Sequence, residues 1–237
     1  MGPIVISKSK LPIIAEIVAA IITDGHIQAR KVKNGLKYGY VGFFSDDKNQ
    51  LIRFQKNVKK LIKIKPKIRK WGQRKNGRST GCIISSSEFS KVLVDYGAPF
   101  GSKVSREFYF PKWIKNANSK IITSFLRTSF DCDGGINYDK NGKRWEIKYF
   151  MYKEKNLAKN CISYLENIRK LLLKFGIKSY KLHIYYRYVR PKDGKSIEGW
   201  RILIRDKVSI VNYSRFIGFN IQKKKERLRE AVKWAFN

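Results

Sequence analysis

Twice along this chain an apolar, helix-like run ends in Asp-Gly and gives way to alternating residues that suit a strand. The first is IAEIVAAIITDGHI at residues 14–27, the second ITSFLRTSFDCDGGI at residues 122–136. Asp24 aligns with Asp133, which sets the copies 133 − 24 = 109 residues apart. The segments after the two copies are also alike. The first copy continues with HIQARKVK, a turn at NGLK and YGYVGFF; the second with INYDK, an Asn141-Gly142 turn and RWEIKYFMY. Asn-Gly between such runs is a hairpin signal. Each copy then shows a helix, DDKNQLIRFQKNVKKLI or KEKNLAKNCISYLENIRKLLLKFG, the latter closing at a C′ glycine, Gly176. A second hairpin comes next in each, PKIRKWGQ with STGCIIS across RKNGR, and SYKLHIYYRYV with GWRILIR across PKDGKS. A further helix, SSEFSKVLVDYG or DKVSIVNYSRFIG, closes the copy. The pattern predicts an α+β protein of two pseudo-symmetric αββαββα halves, residues 1–97 and 120–237. Residues 98–119 join them, and IQKKKERLREAVKWAF adds a basic C-terminal helix.

Composition says what such a chain would meet. It has 52 Lys and Arg against 18 Asp and Glu, a formal charge of 52 − 18 = +34. Residues 1–117 hold 24 basic and 7 acidic side chains and residues 118–237 hold 28 and 11, so each half carries +17. Self-repulsion of that size opposes compactness, and its use is to meet a polyanion, nucleic acid first. A thermophile-like surface would bring glutamate along with lysine, and glutamate is scarce. With 43% hydrophobic residues the chain is no disordered basic tail. No run is long and apolar enough to span a bilayer, and MGPIVISKSK lacks a signal-peptide layout, so no membrane partner and a cytoplasmic location are expected. Cys82, Cys132 and Cys161 are far apart, which excludes a zinc ribbon and suits a reducing compartment. With only His26 and His183, acid–base or metal work falls to carboxylates.

The two runs resemble the motif of the LAGLIDADG homing endonucleases in their single-chain, two-motif form: IVAAIITDG (Ile17–Gly25) and LRTSFDCDG (Leu126–Gly134). PKWIKNANSKIITSFLRTSFDCDGG is similar to the lead-in of archaeal members, and IGFNIQKKKERLREAV to their C-terminal region. The sixth motif letter, normally Asp, is Ile22 and Asp131; the third, normally Gly, is Ala19 and Thr128. Ala15, Ala19 and Thr23 recur every four residues, as do Ser124, Thr128 and Cys132. Residues four apart share a helix face, so each motif helix presents a stripe of small residues that lets two backbones approach. The resemblance implies a monomer whose antiparallel sheets form a DNA-binding saddle, with the motif helices packed at the interface.

Packed side by side, the helices would bring Asp24 and Asp133 together at two negative helix ends, where each carboxyl's pKa rises unless a cation is present. Oxygen donors with few histidines suit Mg²⁺. The expected ligands are Asp24, Asp133 and backbone carbonyls at Thr23 and Cys132, completed by water and phosphate oxygens. Such metals activate water and stabilise the leaving 3′ oxygen. The resemblance implies that both strands of duplex DNA are cut across the minor groove, at a long asymmetric target. It also implies a lysine near the scissile phosphate just before the helix after the second strand. FMYKEKNL offers Lys153 there; FFSDDKNQL has Asp46 at the matching place and Lys48 two later. Asp131, two residues from Asp133, points away from it and reads as structural.

Base reading would fall to strand side chains. Arg144, Glu146 and Lys148 alternate onto one face, and so do Lys181, His183, Tyr185 and Arg187. Gln28, Arg30, Lys67, Arg69 and Arg201 are further candidates, and Glu146 has the acceptor that cytosine N4 requires. Two other functions suit the same scaffold: an RNA maturase acting on intron RNA, and a DNA-binding regulator that does not cleave. Retention of both aspartates favours the nuclease, since a binding protein gains nothing from their repulsion. Met1 and the terminal KWAFN do not match an intein's splice junctions, so a free-standing or intron-encoded protein is expected.

Overall fold

The structure, a computed structural model, describes residues 4–33, 35–74 and 77–237. Asn34 of the NGLK turn and Lys75 and Asn76 of the RKNGR loop lie outside the described residues. The chain divides into two compact units, one taking residues up to 101 together with 111–125, the other residues 102–110 and 126–237.

The first unit runs α1 (Leu11–Ile22), β1 (Gly25–Val32), β2 (Gly35–Phe44), α2 (Lys48–Leu61), β3 (Lys67–Arg74), β4 (Gly77–Ser85), α3 (Ser87–Asp95) and a short α4 (Lys112–Lys115). Its four strands form one antiparallel sheet in the order β1-β2-β4-β3. Pro12 sits in the first turn of α1, where its missing N–H costs nothing. From Ile14 to Ile22 every residue of α1 except Glu16 is buried, as expected of a helix apolar on all sides. In contrast, α2 is amphipathic. Leu51, Phe54 and Val58 point inward while Lys59 and Lys60 point out, and Phe54 stacks on Phe43 of β2 with ring centroids 4.8 Å apart. Asp47 caps α2 by accepting from Asn49 N at 2.8 Å, and Ser86 caps α3 by accepting from Phe89 N at 3.1 Å.

Helix α5 (Ser119–Cys132) leads into the second unit, which repeats the order: β5 (Gly134–Asp139), β6 (Arg144–Glu154), α6 (Ala158–Leu173), β7 (His183–Val189), β8 (Ser196–Ile204) and α7 (Lys207–Asn212). Helix α8 (Gln222–Phe236) comes after them. The second sheet has the matching antiparallel order β5-β6-β8-β7. Tyr149 on β6 packs against Phe130 of α5 at 5.1 Å, and Phe130 against Tyr213 at 5.4 Å.

Local differences from the sequence reading have physical causes. The loop at Asn141-Gly142 is wider than a two-residue turn: the last register partners are Asp139 and Arg144, joined by an ion pair at 3.4 Å, and residues 140–143 lie between them. The left-handed residue there is Lys143, with φ of 45°, and not the glycine. Gly176 does take a left-handed φ of 66° after α6. The helix expected from Lys153 begins at Ala158 instead, since β6 keeps its register with β8 through Lys153↔Glu198 and Glu154↔Ile197.

Candidate metal and nucleic-acid site

Both copies of the Asp-Gly motif build the same helix-to-strand corner. In the first, α1 stops at Ile22, Thr23 and Asp24 form the turn, and Gly25 begins β1. In the second, α5 stops at Cys132, Asp133 alone forms the turn, and Gly134 begins β5. A Cβ on Gly25 would lie 2.6 Å from Ile21 Cα, and one on Gly134 2.6 Å from the Phe130 carbonyl oxygen. The strand starts so close under the last helical turn that only glycine fits. That contact fixes the aspartate before it: Asp24 is exposed and Asp133 is half-buried. Asp133 N donates to the Ser129 carbonyl at 3.0 Å, and its own carbonyl accepts from Phe150 N at 3.1 Å.

The end of a helix leaves carbonyls without intrahelical donors, and the two copies supply them differently. Thr23 donates its own hydroxyl to the Ala19 and Ala20 carbonyls at 2.9 and 3.2 Å. In the second copy the donor is Lys224 of α8. Its ammonium donates to the carbonyls of Phe130, Asp131 and Gly134 at 3.1, 2.6 and 2.6 Å. Asp131, 4% exposed, accepts from Asn220 N, from Asn220 Nδ2 and from Ile221 N, which fastens the start of α8 to the end of α5. Burial pushes the Asp131 carboxyl pKa up, while those donors and the nearby Lys224 charge oppose the rise. The Asp133 charge is felt inside the unit: burial raises the Tyr164 phenol, and the carboxylate adds to it.

Among the described residues no group of three or more His, Cys, Asp and Glu side chains could hold a metal ion. The donors present at the corners are an exposed and a half-buried carboxylate and helix-end carbonyls. Each is a hard oxygen donor of the kind a divalent cation takes.

The two lysine candidates part company. Lys48 is exposed at the first position of α2. Lys153 is 1% exposed; its ammonium donates to the Arg106 carbonyl and lies 4.0 Å from the centre of the Phe108 ring. Burial lowers its pKa to about 8. Four residues of strand, about 13 Å at ~3.3 Å each, separate it from Tyr149, the register partner of Gly134. Lys153 is thus turned toward the 102–110 segment.

Each sheet has one face against its helices and one face away from them. In the first, Phe43, Val41, Ile27 and Cys82 share the helix side by register. Gln28 and Arg30 alternate to the other side. Lys67, across from Ile83, and Arg69, across from Gly81, join them, and all four are exposed. In the second sheet Ile147, Tyr149, Met151 and Lys153 face the helices, while Arg144, Glu146, Lys148, Phe150 and Tyr152 face away. Arg201 lies across from His183 and donates Nε–H to His183 Nε2 at 2.6 Å. Tyr185 packs on Phe150 at 4.7 Å. A bulge between Ile184 and Tyr186 then reverses the alternation. Arg187 pairs with Glu198, 3.3 Å away and across from Lys153, so it leaves the face it was expected to share with His183 and Tyr185. Lys181 is exposed but precedes β7. Glu146 is 3% exposed, with Lys148 Nζ and Arg205 Nε each 2.6 Å from its carboxylate. Lys148 pairs with Oε2, while Oε1 lies in ion-pair range of Arg205 and Arg144 but accepts no hydrogen bond, so the carboxylate expected to read cytosine sits among three cations of its own sheet. Lys224 and Arg205 escaped the sequence reading, because nothing separates them from some fifty other cations.

Each unit opens on a helix that ends in Asp-Gly at the first strand of an antiparallel sheet, and this α+β fold matches that of LAGLIDADG endonuclease structures. Residues 120–218 match the LAGLIDADG-like domain family. Among solved structures the chain is similar to I-DmoI in complex with its target DNA in the presence of manganese (TM-score 0.53, 17% identity, 89% of this chain and 95% of that one). It is similar to full-length DUF199/WhiA from Thermotoga maritima at nearly the same level (TM-score 0.52, 17% identity, 97% and 62%). At these identities the likeness is one of fold. Curated relatives include the replication factor C small subunit of Methanocaldococcus jannaschii, 26% identical over 171 residues, 72% of this chain and 9% of that protein. The tRNA-splicing ligase RtcB of Pyrococcus abyssi is 31% identical over 96 residues, 40% of this chain and 10% of that protein. The glutamine–fructose-6-phosphate aminotransferase of M. jannaschii is 22% identical over 98% of this chain and 18% of its own length. The chain thus spans less than a fifth of each of these relatives.

Proposed function

We propose that this protein is a site-specific homing endonuclease that makes a divalent-metal-dependent double-strand cut in duplex DNA, each unit supplying one carboxylate. The observation that carries the reading is the repeated corner. The same sterically required glycine follows Asp24 and Asp133, so both carboxylates are held at a helix end by backbone geometry and not by side-chain choice. The charge of +34 and the cations on the outward sheet faces support duplex DNA as partner. The similarity to I-DmoI, solved with target DNA and manganese, supports a divalent cation. Mg²⁺ would be held by Asp24, Asp133 and the Thr23 and Cys132 carbonyls, and when bound supplies an activated water and charge at the leaving oxygen. Asp24 and Asp133 would orient that water and the scissile phosphates; Lys48 would neutralise phosphate charge; Gln28, Arg30, Lys67, Arg69, His183, Tyr185 and Arg201 would contact the duplex. Three relatives with unrelated names each match this chain over less than a fifth of their own length, which supports a module that passes between genes.

The test is selection of a cleavable duplex from a randomised library, with Mg²⁺ and then with EDTA. Double-strand cuts that need metal and disappear in Asp24→Asn and Asp133→Asn are expected. Tight, salt-sensitive duplex binding without any cut would transfer the reading to a DNA-binding regulator, a reading the equal likeness to WhiA keeps in play. Selective binding of intron RNA would transfer it to a maturase.

A further inference from the structure

The outward face of the second sheet contains a cation cluster built on a buried anion. Glu146 lies mid-strand on β6 with its side chain 4% exposed. Lys148 Nζ and Arg205 Nε lie 2.6 Å from its oxygens, and Arg144 Nε lies 3.7 Å away. Three separate features fix the cations. Lys148 shares the face by strand alternation. Arg205 follows Ile204, the register partner of Ile147, and its guanidinium lies 5.4 Å from the Tyr180 ring centre. Arg144 is also held by Asp139 at 3.4 Å. A carboxylate this deep is costly unless paired; Lys148 meets Oε2, and the charges of Arg205 and Arg144 lie beside Oε1, which accepts no hydrogen bond. The carboxylate's effect is to hold three cations together that would otherwise repel.

Resting on the duplex-DNA reading, we propose that Arg144, Lys148 and Arg205, organised by Glu146, form a backbone-phosphate clamp and not a base-reading element. The five side chains, Asp139 included, carry 3 − 2 = +1, the complement of one phosphodiester. Lys148 and Arg205 are recessed, at 17% and 23% side-chain exposure. They do not extend far enough to search a groove about 8.5 Å deep. Arg144 has Nε 3.7 Å from Glu146 and Nη2 3.4 Å from Asp139, so two of its three guanidinium nitrogens lie beside carboxylates. A phosphate accepts from donors on several residues at once and sets register without reading sequence.

The experiment measures binding of wild type, Arg205→Gln and Glu146→Gln to two duplexes of equal length, one of random sequence and one recovered by selection, across a salt series, with melting curves for each protein. Arg205→Gln is expected to weaken both duplexes by the same factor, roughly 3- to 10-fold, and to flatten the salt slope by about 0.9. Glu146→Gln raises the net charge, so charge alone demands tighter binding; the clamp demands weaker binding to both duplexes. If Glu146→Gln does not fold, Arg205→Gln decides by itself. A loss confined to the selected duplex, an unchanged affinity in Arg205→Gln, or tighter binding by a folded Glu146→Gln overturns the clamp while leaving the DNA reading intact. A wild-type protein that binds neither duplex overturns both.

Discussion

A carboxylate at the C-terminal end of a helix meets the negative pole of the helix dipole, and each copy of the motif answers that conflict with a different residue. Thr23 closes its own turn with a hydroxyl, a solution contained in the motif. The second copy relies on an ammonium 91 residues beyond Asp133 (224 − 133). Hydrogen bonds from a charged donor contribute about 1.5–3 kcal/mol in total at such a site. Lys224→Met is expected to lower the melting temperature by roughly 3–12 °C, read by calorimetry, whereas Lys223→Met, its exposed neighbour, leaves it unchanged. Lys153→Met is expected to keep cleavage within about twofold of wild type, since the buried ammonium is turned to the Arg106 carbonyl. A hundredfold loss in a folded Lys153→Met would restore it to the chemistry. At this scale the sequence was informative only where residues recur. Asp24 and Asp133 stand out because they align, and Asp131 was separable because it does not. Lys224, Arg205 and the burial of Lys153 depend on partners far away in the chain, which no local pattern encodes.

Among elements, the corner between motif helix and first strand makes the sharpest demand. Gly134 has backbone within 2.6 Å of where a Cβ would sit, while Gly135 has nothing within 4 Å. Gly134→Ala should therefore cost about 1–3 kcal/mol by overpacking, and Gly135→Ala almost nothing, a contrast that urea titrations of the two variants measure directly. The β7–β8 hairpin makes a different prediction. Glu154 at the end of β6 accepts from Arg190 at 2.7 Å and Lys195 at 2.9 Å. Its carboxyl is held down at about 2, chiefly by the Ser105 hydroxyl and then by Lys195. A depressed carboxylate contributes stability above its unfolded pKa of 4.5 and loses it as pH falls toward 2. Hydrogen exchange of the hairpin amides should accelerate across that window ahead of those in α6. Helix–strand order was readable from hydrophobic period alone, because each element is amphipathic or apolar over its whole length. The bulge in β7 and the extension of β6 through Lys153 were not, because both are set by register against β8.

At the scale of the whole molecule, excess positive charge is spread equally over the two halves, +17 each. Binding to duplex DNA should then weaken by about 10³–10⁵ between 50 and 200 mM salt if 6–10 phosphates are contacted. A plot of log affinity against log salt with a slope shallower than about −3 would show that only a small patch engages. The duplication was legible because the Asp-Gly corner cannot drift: glycine is required by sterics and the aspartate is carried with it. The link from α8 back to that corner has a consequence in time. Asn220 and Lys224 are synthesised well after both motif helices, yet they complete the end of the second one. A nascent chain still short of them has a second motif helix whose terminal carbonyls have not met their ammonium. The end of the second motif helix is therefore completed only after the last strand of either sheet has been synthesised.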